Sequence, residues 1–142
     1  MNPAFFIAML KAIMAGDALN AIGYRIRPYE TEPGSTNRVL EQCKKTLADA
    51  LRHRTSIVVA LWRCRRLLKS IPVNRLQPKP KVSIIGEFWA MTTEGDGNYK
   101  LQQFLESEGA EVDVQLVTAW LIYMLWQGKW DTKQRMTLPQ DD

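Results

Sequence analysis

The side chains best suited to chemistry lie in one stretch, Gly86-Glu87-Phe88-Trp89-Ala90-Met91-Thr92-Thr93-Glu94-Gly95-Asp96-Gly97-Asn98. Glu87, Glu94 and Asp96 bring carboxylates close together in the chain, a set that serves general acid–base chemistry or an oxygen-bound hard cation. Trp89, Thr92, Thr93 and Asn98 add aromatic and short polar groups, and Gly86, Gly95 and Gly97 let backbone approach a ligand closely. No Gly-Lys-Ser/Thr and no Gly-x-Gly-x-x-Gly is present, and the carboxylates would repel a phosphate. A structural reading stands beside the ligand reading: Asp96 or Asn98 caps the next helix and the glycines make turns. Cys43 and Cys64 are the only cysteines and His53 the only histidine. Two cysteines without C-x-x-C spacing do not supply a four-ligand zinc or iron–sulfur site, and no metal site is expected.

The elements around this stretch follow from periodicity. Lys81-Val82-Ser83-Ile84-Ile85-Gly86 is a β-branched run ending in glycine and predicts a buried strand of a parallel sheet. A loop over Ala90–Asn98 leads into a helix from Tyr99 to Glu108, with Leu101, Phe104 and Leu105 on one face and Gly109 as its stop. Glu111-Val112-Asp113-Val114 predicts a second strand. Leu116 to Trp126 predicts a buried apolar helix, well short of the roughly 20 residues that cross a bilayer. That order is a Rossmann-like βαβα unit, and ligands of open α/β sheets sit where the Gly86–Asn98 stretch falls, beyond a strand's C-terminal end. Two strands leave the parallel sheet incomplete, with Tyr24-Arg25-Ile26-Arg27 as a weak candidate for a third.

Upstream, Asn2 as cap and Pro3 at the first turn begin a helix to about Ile22, with Gly16-Asp17 as a kink and Gly23 as its stop. Ser35 or Thr36 caps a second helix over Arg38–His53, with Leu40, Cys43, Leu47 and Leu51 on its apolar stripe. A third, Ser56–Lys69, carries Ile57, Leu61, Cys64 and Leu68, so both cysteines fall on core stripes. Pro72, Pro78 and Pro80 mark a boundary. The expected organisation is a helical basic segment 1–71, a proline-rich linker 72–81 and a βαβα unit 82–142, an α/β chain overall.

The 142 residues are 46% apolar and 24% charged, the composition of a globular domain and not of a disordered, collagenous or disulfide-dense chain. The net charge of +4 conceals an asymmetry: between Arg38 and Lys79, eleven Lys or Arg stand against Glu41 and Asp49 alone. Such a stretch is either a solvated helix face or a surface for nucleic acid or an acidic protein partner. Trp62 is the one aromatic among these arginines, too few for a stacking platform, which disfavours nucleic acid. No basic residues precede the apolar run at Phe5–Leu10 and Lys11 interrupts it, which argues against a secretory signal. The expectation is a cytoplasmic chain without membrane attachment.

Lys81 to Tyr99, followed by Leu101-Gln102, Phe104-Leu105-Glu106, Glu108-Gly109-Ala110-Glu111-Val112 and Thr118-Ala119-Trp120-Leu121, resembles a segment of the large bacterial CoA-activase proteins. These are related to activators of 2-hydroxyglutaryl-CoA dehydratase and benzoyl-CoA reductase. Gly16-Asp17-Ala18-Leu19 and Arg25-Ile26-Arg27-Pro28-Tyr29-Glu30 resemble the region before that segment. The resemblance covers about residues 3–127, most specifically Gly86–Tyr99. It implies a parent protein in which an actin-like ATPase with a [4Fe–4S] cluster drives electrons into a dehydratase-like iron–sulfur module. This chain resembles part of the latter, so ATP and the cluster belong to other modules. The implied role is scaffold and a cleft-lining loop, with the remaining modules or a second copy as partners.

Overall fold

A computed structural model describes residues 2–86 and 88–136, with the side chains of Phe88, Ala90 and Asp96 outside that description. The chain is mostly helical with one small parallel sheet. Helix α1 spans Pro3–Ile26, with Asn2 accepting from the Ala4 amide at its start. It runs through Gly23, contrary to the stop expected there. A Cβ on Gly23 would meet Leu40 Cδ1 at 2.7 Å, so this glycine lets α1 approach the next helix. Pro28, which lacks the N–H to continue the ladder, ends the helix instead, and a 3₁₀ turn follows over Arg27–Tyr29. Tyr24–Ile26 is therefore the last turn of α1 and not a strand.

Helix α2, Ser35–Arg52, begins after Gly34 at φ +80°, and neither Ser35 nor Thr36 is its cap residue. The Glu30 carboxylate takes that place, accepting from the Gly34 and Thr36 amides at 2.6 and 2.7 Å and from the Ser35 hydroxyl at 3.2 Å. Helix α3, Ile57–Lys69, has Ser56 as its cap. Leu19 of α1, Leu40, Cys43 and Leu47 of α2, and Ala60, Cys64 and Leu68 of α3 form the main core, joined by Ile71. Both cysteines, Leu40, Leu47 and Leu68 are thus in the core as expected and Ile57 and Leu61 pack against it half-buried, whereas Leu51 is half-buried outside that core.

Residues 72–80 are stitched to the 3₁₀ turn: Glu30 and Val73 form an antiparallel bridge, and the Asn74 amide donates to the Tyr29 carbonyl at 2.8 Å. Strands β1, Lys81–Ile84, and β2, Glu111–Val114, pair in parallel with Lys81 opposite Glu111 and Ile84 opposite Val114. β1 is not buried on both faces; it alternates, and Ile85 beyond it is 84% exposed, because nothing among the described residues covers the second face. Between the strands lie α4, Phe88–Thr92, a 3₁₀ turn at Asp96–Asn98, and α5, Leu101–Ser107. The expected loop thus contains two helical turns, and α5 starts two residues later than predicted because Tyr99 and Lys100 are left-handed, with φ of +57° and +56°.

Helix α6, Val117–Arg135, departs most from expectation. It extends nine residues past Trp126, and none of its residues is buried. Its start is held from α1, where the Asp17 carboxylate accepts from the Val117 and Thr118 amides at 3.3 and 2.6 Å and from the Thr118 hydroxyl. Ile122, Tyr123, Leu125, Trp126 and Trp130 are all more than half exposed. The helix is apolar enough to need cover, but two strands provide too little surface to give it.

Candidate functional site

The Gly86–Asn98 stretch sits past the C-terminal end of β1, and Arg27 from the end of α1 reaches into it. The Arg27 guanidinium donates to Glu106 through Nε at 2.6 Å and Nη2 at 3.1 Å, and through Nη2 to Glu94 at 2.6 Å. Nη1 donates to Asn37 Oδ1 at 3.1 Å, and the Tyr24 hydroxyl donates to Glu94 Oε2 at 3.4 Å. The Arg27 side chain is 11% exposed and that of Glu106 8%. One cation thus serves two carboxylates from different elements, and the fork geometry of arginine makes the shared pairing possible.

Burial opposes the charge on Arg27, but hydrogen bonds and charge from Glu106, with the charge of Glu94, outweigh it and hold the guanidinium protonated more firmly than usual. Burial pushes the Glu106 carboxyl up; Arg27 opposes this, and the neighbouring Glu94 charge adds to it. Burial also raises the Tyr24 hydroxyl, with Glu94 reinforcing the shift, so it stays a neutral donor.

The other predicted residues divide between loop structure and surface. Asn98, 6% exposed, donates through Nδ2 to Gln102 Oε1 at 2.7 Å, and Gln102 Nε2 donates to the Thr93 carbonyl at 3.1 Å. Asn98 therefore ties the loop to α5. Gly95, at φ +124°, accepts from the Lys100 amide at 2.8 Å, and a Cβ on Gly97 would meet Thr93 Cγ2 at 2.7 Å. Gly86 has φ +146°. Thr92 and Thr93 are half-buried, and Trp89 is 71% exposed at the surface of α4. Asp96 lies in the 3₁₀ turn; Glu87 falls outside the described residues. Glu94 pairs with Arg27, a cation it shares with Glu106.

Sequence reading missed Arg27, Tyr24, Glu106 and Gln102. Gln102 is fully buried, and the sequence signals that could have pointed to it are Asn98, four residues before it, and Leu105, three residues after it on α5.

The cysteines do not fit an iron–sulfur cluster. Cys43 and Cys64 lie in the dry seam between α2 and α3, each thiol directed at the other's backbone carbonyl at 3.9 and 3.7 Å. Burial, with Cys64 reinforcing it, pushes the Cys43 thiol up to about 12, opposite to the thiolate a metal needs. Among the described residues no three His, Cys, Asp or Glu side chains converge as a metal site.

The basic stretch forms exposed faces of α2 and α3, with Arg66 stacked 5.5 Å over the half-exposed Trp62. By length and composition Pro3–Tyr29 could also cross a membrane, with mean hydropathy 1.6, although Ala15, Leu19, Gly23 and Tyr24 are buried against the rest of the chain. Comparison with protein-family models, with curated proteins and with solved structures finds no match to this chain.

Proposed function

We propose that the chain is a non-catalytic module of a protein similar to the CoA-activase and 2-hydroxyacyl-CoA dehydratase activator family. It supplies scaffold and a cleft-lining loop, while other modules carry ATP, the iron–sulfur clusters and the low-potential electron transfer. Its second half is a Rossmann-like βαβα unit whose sheet is completed by those modules or by a second copy, in the cytoplasm. One observation carries this reading: α6 presents Ile122, Tyr123, Leu125, Trp126 and Trp130 to solvent with no buried residue of its own. An exposed apolar surface of this kind marks an interface. The strand–helix–strand order around the Gly86–Tyr99 resemblance supports the family, and the committed state of Glu94 and Asn98 supports a positioning role for the loop.

The test uses the purified chain with the ATPase and dehydratase-like components of a CoA-activase. Alone it should show neither ATP turnover nor an iron–sulfur absorption band. It should co-migrate with the components, and Leu125→Lys with Trp126→Glu should abolish this without lowering the melting temperature. ATPase activity or an iron–sulfur band in the chain alone overturns the reading. The alternative, a basic module for nucleic acid or an acidic protein partner, rests on the exposed Arg66–Trp62 pair beside Arg63. It requires oligonucleotide or acidic-peptide binding that weakens steeply with salt.

A further inference from the structure

Helices α1 and α3 both pack on α2, and an open groove of about 440 Å³ runs along their seam. Its bed is aliphatic: Leu19, Ile22 and Ile26 from α1 face Leu61 and Leu68 from α3. At one side stand Arg65 and Lys69, four residues apart and so neighbours on one helix face. No acidic residue lines the groove, and among the described residues neither cation has a carboxylate within 4.0 Å. Two uncompensated cations at the edge of an aliphatic bed match a molecule with an apolar tail and one anionic head.

Size selects the kind of occupant. The groove's volume of about 440 Å³ lies within the range of about 300 to 1,000 Å³ of small-molecule sites, and its paired cations at one edge call for a discrete anionic head. We propose that the α1–α3 groove binds a medium-chain carboxylate, its alkyl chain along Leu19, Ile22, Ile26, Leu61 and Leu68 and its carboxylate between Arg65 and Lys69. The head gains two charge-assisted hydrogen bonds at the protein surface, where its remaining lone pairs stay hydrated. The tail covers the exposed aliphatic surface of Ile22, Ile26 and Leu61 and lies against the buried Leu19 and Leu68. No residue of α6 or of the Gly86–Asn98 loop is among those lining this groove, although both are held from α1, by Asp17 and Arg27.

Isothermal titration of the whole chain with dodecanoate, and with dodecanol as the neutral analogue, tests the assignment. Dodecanoate should bind with one-to-one stoichiometry. Arg65→Gln with Lys69→Gln, both on an exposed helix face, should leave the melting temperature unchanged and weaken dodecanoate at least about tenfold while leaving dodecanol unaffected. Ala18→Phe, which fills the bed, should weaken both ligands. The proposal is overturned if the double variant binds dodecanoate as the parent chain does, or if Leu125→Lys abolishes binding and places the ligand on α6. It is equally overturned if the Arg65→Gln, Lys69→Gln double variant fails to associate with the activase components while α6 keeps its protection from exchange, which makes the occupant a protein. Sedimentation with phosphatidylglycerol vesicles as strong as dodecanoate binding, and lost in the double variant, reassigns the cations to a membrane surface and also overturns it.

Discussion

Arg27 ties the end of α1 to two acidic residues far along the chain, Glu94 and Glu106. Replacing it with Met leaves the 8%-exposed Glu106 carboxylate buried without its cation, which should cost about 3–5 kcal/mol, read as a lower urea midpoint. Arg27→Lys should recover part of that loss but not all, since an ammonium cannot reach both carboxylates and Asn37 together. Glu30 gives a pH signature. Burial would raise its carboxyl, but hydrogen bonds from Thr36, Gly34 and Ser35 win and hold it below 4.5. A lowered folded value means that its contribution is present above 4.5 and disappears as pH falls through the folded value. Glu30→Gln should therefore flatten the acid side of a melting-temperature-against-pH profile and cost about 0.5–2 kcal/mol at neutral pH through the lost cap. Neither role was legible in the sequence. Arg27 reads as part of an alternating Tyr-Arg-Ile-Arg run, and local pattern holds no information about a partner 79 residues away.

At the scale of elements, helices were legible where an apolar stripe meets a partner helix, as Leu40, Cys43 and Leu47 of α2 do. Their ends were less so, because glycine and proline compete as stop signals. Gly23 serves close packing against Leu40, and Pro28, which has no N–H to continue the helical hydrogen-bond ladder, ends α1 although Arg27 before it is still helical at φ −53° and ψ −42°. The strands were found at Glu111–Val114 and, within two residues, at Lys81–Ile84. α6 was assigned burial from its composition alone, which reports a need for cover and not the presence of it. Asp17 anchors its start. Asp17→Ala should release the Val117 and Thr118 amides at a cost of about 0.5–2 kcal/mol, and limited proteolysis should then cut within residues 117–135 faster while α2 and α3 remain intact.

Across the whole molecule, the large core lies among α1, α2 and α3, and a much smaller one of Ile84, Met91 and Val112 sits under the sheet. The first closes on itself; the second leaves β1 half-covered and α6 exposed. Composition predicted a globular chain, and the strand count predicted that its sheet would be incomplete, whereas the extent of bare α6 surface required coordinates. Hydrogen exchange along α6 tests the central claim most directly, measured in the chain alone and with the ATPase and dehydratase-like components of a CoA-activase. The account predicts that residues 122–135 exchange fastest among the helices of the isolated chain and slow by at least about tenfold on mixing, with α2 and α3 unchanged. Protection of α6 equal to that of α2 in the chain alone, or exchange unaltered by those components, would contradict it.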